Sequence, residues 1–150
     1  MGLGRIDPDP WIEDWEGRRI FQVDEMARAR LDTFILRDLH GREVAKLQED
    51  VSARDATVIE REGATLASVR RFRAGLRHRF VIDIVGGVTL EIHGHVGRHE
   101  YEIRRGADVV ATISTGWFPG HDRYGVEVGA GEDEAMLLAA NVAIEGLENT

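Results

Sequence analysis

The sequence predicts a mainly β domain: an antiparallel barrel closed around a buried, apolar C-terminal helix. Two observations point there. From about Trp11 to Val128, short β-branched or aromatic runs alternate with turn residues, and turn signals about every 8–12 residues mark an antiparallel sandwich or barrel. The pattern then changes: Ala135–Ile144 is apolar nearly all the way round, with Asn141 its single polar residue. Such a helix lies in a protein core or a membrane. At ten residues it is far short of the roughly 20 that span a bilayer, so its place is inside the fold.

The elements follow in order. Residues 1–10, with Pro8 and Pro10, read as a flexible tail, and 11–150 as a single domain. Trp11 and Trp15 are bracketed by Pro8, Pro10 and Gly17 too tightly for a helix and are expected to cover a barrel end. Arg18–Val23 is the first clear strand, and Met26–Arg30 reads equally as a helical turn or a loop. Asp32–Asp38 and Arg42–Gln48 flank Leu39-His40-Gly41 as a hairpin. Ala56–Glu60 and Ala64–Arg73 flank Glu62-Gly63. Leu76–Ile84 alternates most cleanly, with Leu76, His78, Phe80, Ile82 and Ile84 on one face and Arg77, Arg79, Val81 and Asp83 on the other, as a half-buried strand requires. Val88–His93, His99–Arg104, Asp108–Ser114 and Arg123–Val128 complete the strands. Gly131-Glu132-Asp133-Glu134 opens the helix, expected at about 133–146, and its acids suit capping and the helix dipole better than a metal cluster.

Composition excludes several functions. A chain of 150 residues holds one domain with a sizeable core. The formal net charge of −8 opposes nucleic-acid binding unless the basic residues cluster. With no cysteine, disulfides and thiol catalysis are ruled out. No signal-peptide-like or membrane-spanning run is present. The expected location is the cytoplasm, peripheral to a membrane if lipid is the ligand, and no cofactor is expected.

A family resemblance rests on an ordered series: Tyr101-Glu102-Ile103-Arg104-Arg105-Gly106, then Val109-Val110-Ala111-Thr112-Ile113-Ser114, Trp117-Phe118, Asp122, Tyr124-Gly125-Val126-Glu127-Val128, and Glu132-Asp133-Glu134 before the apolar helix. This run, roughly 78–146, resembles the C-terminal half of LURP-one-related proteins, which belong with tubby C-terminal domains and phospholipid scramblases. Phe34–Leu47 matches more loosely. The resemblance implies a barrel of about twelve strands around a central hydrophobic helix. Tubby domains bind phosphoinositide headgroups through basic residues and scramblases act on membrane lipids, but no tubby headgroup ligand maps onto a position here.

The foremost candidate site is a basic hairpin. Between Glu62 and Asp83 there is no acid, while Arg70, Arg71, Arg73, Arg77, Arg79 and His78 fall there. Pairing Phe72 with Leu76 and Leu66 with Ile82 would set Arg71 opposite Arg77 with Arg79 beside them. Like charges facing each other destabilise a sheet, so either acids from other strands or a bound anion must offset them. Arginine suits phosphate because its planar fork donates two hydrogen bonds together. His93 and His95, near His99, have metal-like spacing. Pairing Ile92 with Tyr101 and Leu90 with Ile103 instead turns His93 and His95 outward and His99 inward, against a three-histidine site. Trp117-Phe118 reads as a cap on the barrel end or as a contact surface. His121 and Asp122 have no nucleophile beside them, and Asn141 needs a buried partner.

The sequence therefore reads as a non-enzymatic domain binding an anionic phospholipid headgroup or another phosphorylated group, held by Arg71, Arg77 and Arg79 with Arg70 and Arg73 assisting. The alternative is a protein-interaction or structural module with contacts around Trp117. A small-molecule barrel or enzyme ranks third, because the helix fills the space a ligand would occupy.

Overall fold

Alternation along the strands gives the sheet one apolar face. Ala45 and Leu47, Ala67 and Val69, Phe80 and Ile82, Tyr101 and Ile103, and Val126 and Val128 are all buried, while intervening residues lie nearer solvent. A computed structural model describes residues 2–6, 11–16, 18–28, 31–50, 55–117 and 124–148. The strands are Gly2–Ile6 (β1), Trp11–Glu13 (β2), Arg19–Arg28 (β3), Leu31–Asp38 (β4), Glu43–Glu49 (β5), Ala56–Arg61 (β6), Ala64–Ala74 (β7), Arg77–Ile84 (β8), Thr89–His95 (β9), Glu100–Arg105 (β10), Asp108–Ser114 (β11) and Tyr124–Val128 (β12). A short 3-10 turn, Val96–Arg98, joins β9 to β10, and the helix α1 spans Glu134–Glu148.

Every neighbouring pair is antiparallel, and the strands lie side by side from β2 in chain order to β12, with β1 beside β12. Gly2–Ile6, expected as a loose tail, is thus a strand that covers the otherwise open side of β12, whose backbone groups need partners. It meets β2 at Ile6↔Ile12. Met26–Arg28 continue β3 rather than forming a helical turn.

The helix is the other half of the core. It packs on β5, β6, β7, β8, β12 and the 3-10 turn, and Met136, Leu137, Leu138, Ala139, Ala140, Asn141, Ala143, Ile144 and Leu147 are buried. Small residues at 139, 140 and 143 let the sheet approach closely. At its start, Asp133 Oδ1 accepts a hydrogen bond from the Met136 amide at 3.1 Å and also meets Arg61 at 2.9 Å. Of the three acids expected to cap, Glu132 instead holds Arg105, at 2.7 and 3.1 Å.

Candidate functional site

The basic hairpin is β7–β8, and its register differs from the one expected. Ala67 pairs with Ile84, Val69 with Ile82, Arg71 with Phe80, Phe72 with Arg79, and Ala74 with Arg77. Phe72 was expected to face Leu76, so the slip is three residues, and an odd slip exchanges the two faces of one strand relative to the other. The cause is the turn. Gly75 has φ +68, which allows a tight two-residue loop of Gly75 and Leu76. Leu76, expected on the buried face, is therefore fully exposed at the tip.

This register divides the arginines. Arg71 shares the inner face with Val69 and Phe80. Its side chain, only 12% exposed, binds Asp55 and donates to the Leu147 carbonyl at the end of α1. A cation there satisfies a terminal carbonyl and complements the helix dipole. Arg70 lies on the outer face and bonds Asp83 at 2.5 Å. That bond holds the Asp83 carboxyl below the usual carboxylate range, against desolvation and with help from Thr89. Neutralisation by acids therefore accounts for Arg70 and Arg71. Among the described residues, Arg73, Arg77 and Arg79 have no carboxylate partner. Arg79 instead lies over the Phe72 ring, 5.9 Å from its centre.

Two of these cations, Arg77 and Arg79, border a gap in the sheet, while Arg73 lies on β7 across from His78. β8 pairs with β9 at Val81↔Glu91, Ile82↔Leu90 and Asp83↔Thr89; closer to the tip the two strands part, while β9 stays paired with β10 as far as His95. Gly94 has φ +126, and a Cβ there would lie 2.5 Å from the Glu100 carbonyl oxygen, so only glycine allows β9 to follow β10 so closely. The parting leaves a cleft of about 280 Å³ between Arg77, His78, Arg79 and Phe80 on one side and Ile92, His93, Gly94 and Val96 on the other. Both wall histidines lie beside acids: Glu148 is 3.6 Å from His78 Nδ1 and Glu91 is 3.2 Å from His93 Nε2. Two guanidiniums and two imidazoles thus line the cleft between the parted strand edges, a donor set of the kind that suits an anion.

The remaining sequence candidates fall elsewhere. His93 and His95 face Glu102 and Glu100 across the β9–β10 ladder, and the pairs Tyr101↔Gly94 and Ile103↔Ile92 are shifted by two residues from those expected. An even shift keeps the faces, so both histidines point outward. His99 points inward and stacks on Tyr124 at 4.6 Å. Among the described residues no group of three or more His, Cys, Asp or Glu could hold a metal ion. Trp117 packs edge-on against Trp15 at 5.2 Å, and both remain partly exposed. Phe118, His121 and Asp122 lie outside the described residues, as does the side chain of Trp11.

Asn141 has the buried partners it needs, and they reveal a polar chain with little sequence signal. It accepts from the Tyr124 hydroxyl at 3.1 Å and donates to Tyr101 at 2.6 Å; Tyr101 in turn donates to Glu145 at 2.8 Å. His99 Nδ1 is 2.8 Å from Glu145 Oε1 without the alignment of a hydrogen bond. Burial pushes the Glu145 carboxyl above its ordinary range, opposed by His99 and Tyr101. Burial, and then the Glu145 charge, raise both tyrosine hydroxyls well above theirs. The chain thus holds the Tyr101 hydroxyl as a neutral donor against a buried acid.

Comparison with known proteins agrees with this architecture. An X-ray structure of a protein from Arabidopsis thaliana superposes with a TM-score of 0.70 over 99% of this chain and 91% of that one, at 18% identity. That is a likeness of fold alone. No curated protein matches the sequence. No helix among the described residues is long and apolar enough to cross a membrane. The family model described as LURP-one-related matches residues 7–145, nearly the whole chain, and the protein therefore belongs to the LURP-one-related family.

Proposed function

We propose that the protein is a non-enzymatic binding domain for a phosphorylated anion, with a phospholipid headgroup as the ligand class, and that the cleft between β8 and β9 is its site. The observation that carries this reading is that Arg77 and Arg79, which have no carboxylate partner among the described residues, line the gap where β8 parts from β9, with Arg73 on neighbouring β7 also lacking one. Arg77 and Arg79 hold the phosphate, Arg73 adds charge, and His78 and His93 donate from the walls. Arg70 and Arg71, assigned to the ligand from sequence, act structurally through Asp83 and through the end of α1. We infer further that the sheet closes as a tubby-like barrel. The run of β1 along β12 and its meeting with β2 at Ile6↔Ile12 support that. A core filled by α1 leaves the rim and the cleft as the places for a ligand. A protein-contact role is the second reading, supported by the part-exposed Trp15–Trp117 pair.

The test is calorimetric titration with inositol 1,4,5-trisphosphate, a soluble phosphoinositide headgroup. Wild type binds it, and Arg77→Ala/Arg79→Ala binds at least about tenfold more weakly, the scale of one lost charge-assisted hydrogen bond. Equal affinity in the variant, or no binding by wild type, rejects the cleft.

A further inference from the structure

The β7–β8 tip joins two features that the headgroup reading does not use. Leu76 is fully exposed in the loop, and Phe72, paired with Arg79 beyond the Ala74↔Arg77 row, is 40% exposed. An isolated exposed leucine is ordinary on a protein surface. This one projects from the end of an eleven-residue strand and its partner. It sits between Arg73 and Arg77, with Arg79 over the Phe72 ring. An apolar point ringed by cations that lack acid partners matches an interface that is anionic at its surface and hydrocarbon beneath. Arginine stems contribute to such an arrangement because they bury methylenes while the charged head stays at the headgroup level. The rest of the chain works in the same direction: its net charge of −8 is repelled by an anionic surface, leaving the tip as the favoured approach.

We propose that the β7–β8 hairpin docks the domain on an anionic bilayer, with Leu76 entering the acyl region while Arg73, Arg77 and Arg79 engage lipid phosphates. This rests on the headgroup reading of the cleft and adds the partner and the depth of contact. Leu76 touches no part of the core, so replacing it leaves the fold intact, which thermal unfolding verifies.

Two measurements separate insertion from headgroup binding. The chain has no cysteine, so Leu76→Cys takes an environment-sensitive fluorophore at one defined place. On phosphatidylcholine vesicles containing phosphatidylserine and a phosphoinositide, its emission should shift to the blue, and on pure phosphatidylcholine it should not. Leu76→Ser should co-sediment with the anionic vesicles about tenfold more weakly than wild type, the scale of withdrawing one leucine from hydrocarbon, while binding inositol 1,4,5-trisphosphate as wild type does. Undiminished vesicle binding by Leu76→Ser, or unchanged emission from bound labelled protein, overturns insertion and leaves the cleft standing. Wild type that binds neither vesicles nor the soluble headgroup overturns both.

Discussion

Glu145 concentrates the electrostatic cost of the interior. Its carboxylate sits under the 3-10 turn, held by Tyr101 and close to His99, and burial keeps its pKa above the ordinary carboxyl value. A raised folded-state pKa means that, just above the ordinary carboxyl pKa, the folded chain binds more protons than the unfolded one. Stability from this group is then complete below the unfolded pKa and is lost as pH rises through the folded one. Glu145→Gln keeps an acceptor for Tyr101 and removes the titration. Thermal unfolding at pH 4, 5.5 and 7 should show the variant gaining on wild type as pH rises; parallel profiles would contradict the burial effect. Asn141 in the helix was legible as a residue needing a partner. Tyr101, Tyr124 and Glu145 were not, since two tyrosines on separate strands and an acid near a helix end show nothing of their convergence until the strands are placed.

At the scale of elements, the β7–β8 hairpin carries the main lesson. Period two along Arg77–Ile84 is local, and it correctly placed Phe80, Ile82 and Ile84 on one face. Register is not local. It was decided by Gly75, whose positive φ makes the two-residue loop, and by burial of Val69 against Ile82. That choice moved Arg71 inward to the end of α1 and pushed Leu76 out. Arg71→Ala should therefore act on stability: losing its bonds to Leu147 and Asp55 costs about 1–3 kcal/mol, read in chemical denaturation. Its affinity for the soluble headgroup should remain within about twofold of wild type at a temperature where the variant is folded. A tenfold loss of affinity without loss of stability would return Arg71 to the ligand. The helix was the most legible element, because an apolar run too short for a membrane has no place but the core, and α1 begins within a residue of its expected start.

For the whole molecule, the proposed function depends on charge distribution more than on total charge. On that proposal an acidic chain with cations gathered at one hairpin tip meets its anion through a small patch, and exposed groups there are screened by salt. Binding to anionic vesicles should weaken steadily from low to physiological ionic strength, and sedimentation at graded salt measures it. Binding indifferent to salt would point to a purely apolar contact.

By itself, the sequence determined the mainly β class, most strand positions, the buried helix, the family resemblance and the cationic character of the hairpin. The resemblance rests on an ordered series of residues that matches a known family; the others are local properties, carried by periodicity, turn residues and composition. Only the tertiary structure decided that Gly2–Ile6 is a strand, which arginines acids neutralise, and where β8 parts from β9 to open a cleft. Each depends on which residues meet across strands, and pairing between distant segments is settled by the competition of turns, core burial and backbone hydrogen bonding over the whole sheet.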